Sequence, residues 1–596
     1  MDSTLRRREF LAGSGGIGVV SVAGRVGHSR SEADDAPSGD PNSVAVVSQH
    51  HLATEAGLEV LDEGGTAADA AIAVACTLSV VEPWFSSALG GGTWALYYDT
   101  ESNEVTSVDG VGPVGSEATP EDFEARADTA GIHQSIVPGA WDGWMQWLDR
   151  YGVLELEDVL APAITIARDG YPVSPEMERW LERRADLIDD RPAAASIYKP
   201  NGDIFEEGET VTQHEMADTF ETLADVYADH RQKGRSDAIQ AARDHFYRGP
   251  IAEAIVAYSD EHDGYLTSSD FHEFESEIVD PISIEYHDDV RVYQNPPNSQ
   301  GITQLLALNV LTEYDLSELD PDDPDAVHLQ VEAIKLAFAD RYQHVGDPNR
   351  VDVPVAQLLD DDYRRSQADR IDMERAMEWP IDSGLSDASD ELDELDERSE
   401  FDHTTTFHVV DADGNAAAVT TSLGAQFLVI GDTGIHINNR MRMVALEDDD
   451  PNLLTPGYKV RHTSNPYMAL RNGRPYILGG NTGVDTQPQG QTQQFLNVVE
   501  FGLNAQEAVS RPRFVSTAFP STQYPYEVES TLQMESAFPA DVIEELEERG
   551  HDVEAGNISV GTATMIVVDD SRERIHVGAE PRISTAAGSV PASVDE

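Results

Sequence analysis

The sequence predicts a layered α/β or α+β fold for this chain of 596 residues, and three observations support that prediction. Helical periodicity of apolar residues is present in 50–83, 136–175, 213–260 and 325–345. Short apolar strands bounded by turn residues lie between and after these segments. Helices and strands do not alternate strictly and no internal repeat is visible, which indicates packed layers of both kinds. Hydrophobic residues make up 40% of the chain, as in a globular protein.

The individual elements follow in chain order. Two helices are expected within 50–83, and a hairpin follows them with its turn near Ser102. A second hairpin is predicted around the turn 411–415. The expected strands are 94–98, 105–108, 404–410, 416–422, 434–438, 467–470, 476–479, 564–568 and 575–577. Two late helices are expected over 489–500 and 539–549, the second with Pro539 in its first turn and Gly550 after its end.

The charge of the chain is strongly acidic. Its formal net charge is −71, from 110 acidic and 39 basic residues, and only four of the basic residues are lysines. A surface of this kind suits molar salt, where the Debye length is about 3 Å and like charges no longer repel at range. Simple solubility by self-repulsion is the alternative explanation. Nucleic acid is not an expected partner, because binding it requires basic patches.

The N-terminal region 1–42 has the composition of a targeting segment and a linker. Residues 6–11, Arg-Arg-Arg-Glu-Phe-Leu, resemble a twin-arginine export signal, and the Gly/Ala/Val-rich stretch 12–24 is too short to cross a membrane. We therefore expect export to the cell surface or the medium, with no transmembrane segment; a disordered basic tail is the alternative. The single cysteine, Cys76, lies in an apolar run and is expected in the core. No Cys/His metal spacing occurs, so no metal site is expected. No cofactor is expected either.

An acidic run over 380–403 leads directly into the predicted strand that begins at Thr404. Acidic runs are usually solvated, and their direct junction with a buried strand is unusual unless the chain is cut there. A threonine that becomes the first residue of a new chain offers a hydroxyl nucleophile and an α-amine base of pKa about 8. The alternative is an ordinary β-strand threonine. Cleavage would divide the chain into a large region, 43–403, ending at His403, and a small region, 404–596.

Residues 404–420, Thr-Thr-Thr-Phe-His-Val-Val-Asp-Ala-Asp-Gly-Asn-Ala-Ala-Ala-Val-Thr, resemble the start of the small subunit in the γ-glutamyltranspeptidase family. Other short segments resemble that family in the same order along nearly the whole mature chain. They are 81–83, 90–92, 137–139, 167–170, 295–299, 346–348, 438–439, 510–514 and 581–582. The resemblance implies the four-layer αββα sandwich of the N-terminal-nucleophile hydrolases and a precursor cleaved into two subunits.

The resemblance also implies catalytic roles. Thr404 matches the family's nucleophile and cleavage site. Ser422 matches a threonine that hydrogen-bonds the nucleophile, and serine keeps the hydroxyl. Gly483 and Val484 match the Gly-Gly pair whose backbone N–H groups form the oxyanion hole, and valine still supplies an N–H.

The positions that bind the acyl group depart from the family pattern. His462 and Thr463 match a Ser-Ser pair that binds the glutamyl carboxylate. The family's arginine for the α-carboxylate is missing from 108–113, and Met443 takes the place of the aspartate that binds the α-amine. Because an unpaired charge in a pocket costs several kcal/mol, these changes favour a substrate with a carboxylate but no amine. Arg440, with Arg442, adds positive charge there.

The sequence thus predicts a self-processing amidohydrolase or acyltransferase that cleaves γ-glutamyl amides such as glutathione through a threonyl acyl-enzyme. Its partners are a small amide or peptide substrate and the two subunits of one precursor. The segment 462–487 resembles the acylase-like branch of the family, so an acylase for glutaryl or cephalosporin-type amides is the alternative within the family. An exported binding protein without catalysis is the alternative of another class.

Overall fold

The computed structural model describes residues 20–21, 44–287, 289–385, 404–524, 526, 528–569 and 574–590. Two antiparallel sheets form its centre. Sheet I has eight strands in the spatial order Val20–Ser21, Ala587–Ser589, Ala45–Ser48, Thr404–Val410, Ala416–Ser422, Gly92–Asp99, Glu104–Gly110 and Glu277–Val279. Sheet II has six strands in the order Ile575–Ala579, Ala563–Val568, Arg474–Asn481, Tyr467–Arg471, Val290–Gln294 and Ile282–Tyr286.

The alternation of side chains along the strands shows how the layers stack. In sheet I, Ala417 and Val419 pack into a core shared with helices, whereas Ala416 and Ala418 join the core that also holds side chains of sheet II. Side chains alternate in the same way along the strands of sheet II. Those that face sheet I include Met468, Leu470, Leu478 and Ile566. Those that face a separate set of helices include Tyr467, Ala469, Ile477 and Met565. The two sheets therefore pack face to face, each with helices on its outer side.

Helices cover the outer face of sheet I. They are His51–Asp62, Ala67–Val81, Ala140–Arg150, Leu156–Asp169, His214–His230, Arg235–Tyr247 and Pro250–Glu261. The helix Ala67–Val81 is buried over all its 15 residues, including the free Cys76 thiol, as the sequence predicted. Its first N–H, that of Ala67, donates to the Asp411 carboxylate at 2.9 Å, so the turn 411–415 of sheet I satisfies an N–H group that has no partner within the helix.

A second helical layer covers sheet II. It comprises Ile302–Leu311, Pro324–His344, Thr486–Val499, Ala505–Ser510 and Ala540–Glu548. Together the two helical layers and the two sheets make the four-layer αββα sandwich, so the predicted fold class is confirmed.

Shorter elements connect the layers. The short helices are Pro120–Glu124, Pro175–Arg183, Ala185–Asp189, Pro192–Tyr198, Ser268–Glu273, Val355–Leu358 and Asp361–Ala368. The 3₁₀ turns are Ile132–Gln134, Arg231–Lys233, Gly431–Thr433 and Arg440–Met443. Two small sheets contain Phe514–Ser516, Leu532–Glu535 and Val553–Gly556, and Tyr171–Pro172 with Thr210–Val211. Among all the described residues, no helix has both the length and the apolar character needed to cross a membrane.

A few predicted elements are wrong in detail. The strand expected over 434–438 is absent; a single bridge joins Val429 and His436, because Gly434 at φ +70° turns the chain there. The helix expected over 489–500 is Thr486–Val499, and Pro539 is the cap of its helix rather than part of the first turn. The predicted leader, apart from residues 20–21, and the acidic run 386–403 lie outside the described residues.

Candidate active site

Two hydroxyl groups meet where adjacent strands of sheet I begin and end. Thr404 opens one strand and Ser422 closes the next, and the antiparallel register pairs them directly. Their Oγ atoms are 3.0 Å apart, and both residues are fully buried. Ser422 pairs in turn with Gly92 of the following strand, which has no side chain to fill the space beside the two hydroxyls. The predicted nucleophile and its hydroxyl partner are therefore in hydrogen-bond contact.

A cation and an amide complete the surroundings of these hydroxyls. Arg440 is buried, and its Nη1 donates to Ser422 Oγ at 2.7 Å, while its Nε donates to Asn439 Oδ1 at 3.2 Å. Gln487, in the first turn of helix Thr486–Val499, donates from Nε2 to Thr404 Oγ1 at 3.4 Å. Arg440 is linked to Thr404 through Ser422, and a guanidinium in such a dry site is able to stabilise negative charge on the hydroxyl oxygens.

The predicted oxyanion residues form a sharp turn between the end of strand Arg474–Asn481 and helix Thr486–Val499. Gly483 has φ +95° and Val484 has φ +55°. The left-handed region costs a β-branched residue about 1–3 kcal/mol, so surrounding contacts must hold Val484 there. In the described part of the chain, neither of their two N–H groups donates a hydrogen bond. Consecutive free N–H groups just before a helix N-terminus are suited to binding a negative oxygen.

The segment that should carry the family's arginine holds an ion pair instead. Asp109 is buried, and its Oδ2 accepts a hydrogen bond from Lys459 Nζ at 2.6 Å, while Oδ1 accepts from the Val111 N–H at 3.2 Å. Burial raises the pKa of Asp109, and the Lys459 ammonium partly offsets that rise. The positive charge at this position, that of Lys459, is thus paired within the protein.

His462 presents a buried N–H group near the two hydroxyls. Its Nδ1 accepts from the Ser464 N–H at 3.2 Å, so in the neutral ring Nε2 carries the proton. Among the described residues Nε2 finds no hydrogen-bond partner although the ring is fully buried, and it lies 3.3 Å from the place where a Cβ on Gly92 would be. Burial and the nearby Arg440 charge lower the pKa of His462 well below its ordinary value of 6.5.

Thr463 and Met443 contact each other at the place expected for the family's amine-binding acid. The Thr463 hydroxyl lies 4.0 Å from the Met443 sulfur, and both side chains are buried. A thioether accepts only weak hydrogen bonds and carries no charge, so it cannot balance an ammonium group. The structure therefore joins Thr404, Ser422 and Arg440 directly, sets His462 beside them, and leaves no acid at position 443.

Gln487 and Lys459 are the site residues that sequence reasoning missed. A signal for Gln487 exists in the sequence: the helix 486–499 carries five glutamines and no charged side chain, and all five are buried. Buried amides are normally hydrogen-bonded, so such a helix face is a sign of a polar interior site. The Lys459–Asp109 pair joins residues 350 positions apart and has no comparable signal.

A second polar cluster joins helix Pro324–His344 to His551. His328 Nδ1 and His551 Nε2 are 2.8 Å apart, and Glu332 is adjacent; within the described ranges this is the one group of His and acidic side chains able to hold a metal ion. Lys335 Nζ already donates to Glu332 at 2.8 Å, and His328 Nε2 donates to the Asp372 carbonyl at 3.0 Å. Hydrogen bonds and the ammonium thus account for the cluster.

Comparisons with known proteins bear on the fold and the family of this chain. A family model described as Gamma-glutamyltranspeptidase matches residues 53–590. The Glutathione hydrolase-like YwrD proenzyme of Bacillus subtilis is 35% identical over 551 residues, covering 91% of this chain and 97% of that protein. The Acylase ACY 1 proenzyme of Pseudomonas sp. strain SE83 is 30% identical over 85% of this chain and 87% of its own length.

Among solved structures, the cephalosporin acylase of Bacillus halodurans has a TM-score of 0.82 at 29% identity, covering 96% of this chain and 99% of that one. The match thus extends over both sheets and both helical layers. The paired hydroxyls at the start of a central strand, the four-layer fold and the family model together identify this chain as an enzyme of the gamma-glutamyltranspeptidase family.

Proposed function

We propose that the chain is a precursor that cleaves itself between His403 and Thr404 and then acts as an amidohydrolase or acyltransferase on small amides. The observation that carries the proposal is the contact of Thr404 Oγ1 with Ser422 Oγ, which Arg440 reinforces from the other side. A β-strand threonine with a purely structural role has no need of a buried guanidinium next to its hydroxyl-bonded partner, because burying that charge is costly.

The chemistry follows from the groups present. Cleavage gives Thr404 a free α-amine, whose ordinary pKa is about 8, and this amine takes the proton of Oγ1 as the oxygen attacks the amide carbonyl. The N–H groups of Gly483 and Val484 stabilise the negative oxygen of the tetrahedral intermediate. The C–N bond then breaks, the leaving amine takes the proton, and an ester on Thr404 remains. Water, or an acceptor amine, attacks that ester and restores the hydroxyl.

For the acyl donor, the leading candidate is a γ-glutamyl amide of the glutathione type. Family membership supports this choice, as does the relative named as a glutathione hydrolase-like proenzyme. Arg440, His462 and Thr463 are the groups we assign to binding the acyl part of the substrate.

A second candidate, an acylase for glutaryl-type amides, is favoured by one specific observation. The α-amine of a glutamyl group has no acid to meet at Met443, and Asp109 is already paired with Lys459. A glutaryl group lacks that amine and needs only donors for its distal carboxylate, which Arg440 and His462 can supply. The third alternative, a binding protein without catalysis, is disfavoured because it leaves the buried hydroxyl pair and the strained Val484 turn without a purpose.

The deciding experiment is the intact mass of the purified protein together with N-terminal sequencing of any small chain. We expect a small chain that begins Thr-Thr-Thr-Phe, and a large chain that ends at His403. Incubation with an acyl anilide followed by acid quenching should then add one acyl mass to the small chain. An active enzyme that remains a single uncut chain would refute the proposal.

The predictions about location and salt stay predictions. The twin-arginine segment lies outside the described residues, and replacing Arg7 and Arg8 by lysine should keep the protein in the cytoplasm if it is an export signal.

The net charge of −71 supports a fold that is most stable at molar salt, and thermal melts across a salt series measure this directly.

A further inference from the structure

We propose that Gln300, Arg341 and Asp485 are positioning residues that hold Val484 in its left-handed conformation and so keep the oxyanion hole open. This inference rests on the proposed function, since it assigns a task to residues outside the reacting groups. Gln300 and Arg341 belong to the large region and Asp485 to the small region, so the support crosses the proposed cleavage site.

The first contact is the salt bridge behind the turn. Arg341 and Asp485 are both buried, and Nη1 of Arg341 lies 2.5 Å from Oδ1 of Asp485. The other carboxylate oxygen accepts from the Thr522 N–H at 2.9 Å, and Arg341 Nη2 donates to the Pro520 carbonyl at 3.0 Å. Because Asp485 directly follows Val484, these bonds to the Asp485 side chain hold the backbone on the C-terminal side of Val484.

The second contact fixes the carbonyl of Val484 itself. Gln300 Nε2 donates to Val484 O at 2.8 Å and to Thr463 O at 3.0 Å, while its Oε1 accepts from Arg341 Nη1 at 2.9 Å. With its carbonyl and the next side chain both held, Val484 cannot relax to negative φ without breaking buried hydrogen bonds. Leaving the polar groups of these hydrogen bonds without partners in the protein interior costs free energy.

The consequence concerns the direction of the N–H groups. Relaxation of Val484 would rotate the peptide planes on both sides of it, and the plane between Gly483 and Val484 carries the Val484 N–H. That N–H would turn away from its present orientation, whereas the Gly483 N–H belongs to the preceding peptide plane. A glycine at 484 would have no such preference, because it adopts positive φ without steric cost. The clamp is therefore needed because position 484 carries valine.

A double-mutant cycle on the full-length, matured enzyme tests this inference. Gln300→Met and Asp485→Asn are each made alone and together with Val484→Gly, and kcat and KM are measured on one acyl anilide. Removing an oxyanion donor lowers kcat by about 10²–10³, so misdirecting one should lower kcat by about tenfold to a hundredfold. We expect this loss in kcat rather than in KM for Asp485→Asn, and a loss at least threefold smaller in the Val484→Gly background. Equal losses in both backgrounds, or a loss confined to KM, overturn the inference.

Two controls separate the possible failures. Asp142→Asn breaks another buried salt bridge, to Arg243 at 2.5 Å, and should lower the melting temperature without changing kcat. If either clamp variant does not fold, the remaining one completes the cycle, and Gln300→Glu, which keeps the shape but not the amide donor, replaces a lost Gln300→Met. Thr404→Ala separates failure of the proposed function from failure of this inference. Full activity in that variant overturns the proposed function itself. An inactive Thr404→Ala variant together with an additive double-mutant cycle overturns only the positioning role of Gln300, Arg341 and Asp485.

Discussion

The two halves of the site differ in how closely they keep the family pattern. On the side proposed to attack the substrate, Thr404 and Gly483 keep the residue types that the family resemblance implies. Ser422 keeps the hydroxyl, and the two hydroxyls make the expected contact. On the acyl-binding side, Met443 stands where an acid was expected, and the position of the missing arginine is filled by the Asp109–Lys459 pair. In this chain, the residues proposed for substrate recognition thus depart from the family pattern, whereas those proposed for bond breaking largely keep it.

There is a physical reason for this difference. The two hydroxyl residues, Thr404 and Ser422, are fixed by the hydrogen bonding of sheet I, where a shift of one residue would turn every side chain to the other face. The recognition groups come from the turn Arg440–Met443 and from the segment before strand Tyr467–Arg471, outside the regular ladder. Substitutions there change which charges are satisfied without disturbing the register of the sheet.

The largest expected effect belongs to the attacking side. Thr404→Ala should abolish turnover, by about 10⁴-fold or more, because the nucleophile is lost. It should also leave one uncut chain, because the same hydroxyl serves cleavage. Denaturing gels and anilide assays measure both results. Thr404→Ser is the matched control, and it should retain measurable cleavage and activity. Normal processing of the alanine variant would refute the assignment of Thr404 as the nucleophile for self-cleavage.

The next largest effect tests the acyl-binding side. We expect glutaryl anilides to be cleaved at least as well as γ-glutamyl anilides with the same leaving group, because Met443 cannot balance an α-amine. Met443→Asp should shift the ratio of kcat/KM toward the γ-glutamyl compound by about tenfold, a change of about 1.4 kcal/mol. Met443→Leu, which keeps the site uncharged, should leave the ratio unchanged.

A clear preference for the γ-glutamyl anilide over the glutaryl anilide would contradict this prediction. A preference of the wild-type enzyme for the γ-glutamyl compound by about a hundredfold, or about 2.7 kcal/mol, would mean that other residues bind the zwitterion. The acyl-binding side would then match the family in function although not in residues.

How much of the fold and of the candidate site could be predicted from the sequence depends on how far apart in the chain the contacting residues are. The turn at 411–415 fixes the hairpin register, and that register alone pairs Thr404 with Ser422, so their contact follows from local spacing. The bonds from Arg440 to Ser422 and from Gln487 to Thr404 connect separate elements and depend on how the layers pack. The same holds for Asp109 and Lys459, which only the assembled fold brings together.

A smaller effect on activity is expected from the buried pair. Lys459→Met should destabilise the protein by about 3–5 kcal/mol, because it leaves Asp109 buried without its partner. The double variant with Asp109→Asn should recover part of that loss. Since Lys459 is occupied by Asp109, KM for a glutaryl anilide should change by less than about threefold, roughly 0.65 kcal/mol. Chemical unfolding and steady-state kinetics measure the two quantities separately. A large rise in KM with little change in stability would instead make Lys459 a ligand of the substrate.

The smallest expected effect concerns pH, and it separates the two sides by their titrating groups. On the attacking side the α-amine of Thr404 must be neutral to accept a proton, so kcat/KM should rise with pH through about 8 and then level off. On the proposed acyl-binding side, burial and Arg440 hold the pKa of His462 well below 6.5, so its ring is neutral near pH 8, where the amine titrates. His462→Gln should therefore leave the midpoint of the profile unchanged, even if it changes KM by replacing the imidazole N–H donor with an amide N–H donor. Profiles of kcat/KM at constant ionic strength measure this between about pH 5.5 and 9.5, a range that extends beyond the two ordinary pKa values of about 6.5 and 8. A second inflection near 6.5 that disappears in His462→Gln would mean that the ring is charged in the working site, and that recognition of the acyl carboxylate uses an imidazolium rather than a neutral donor.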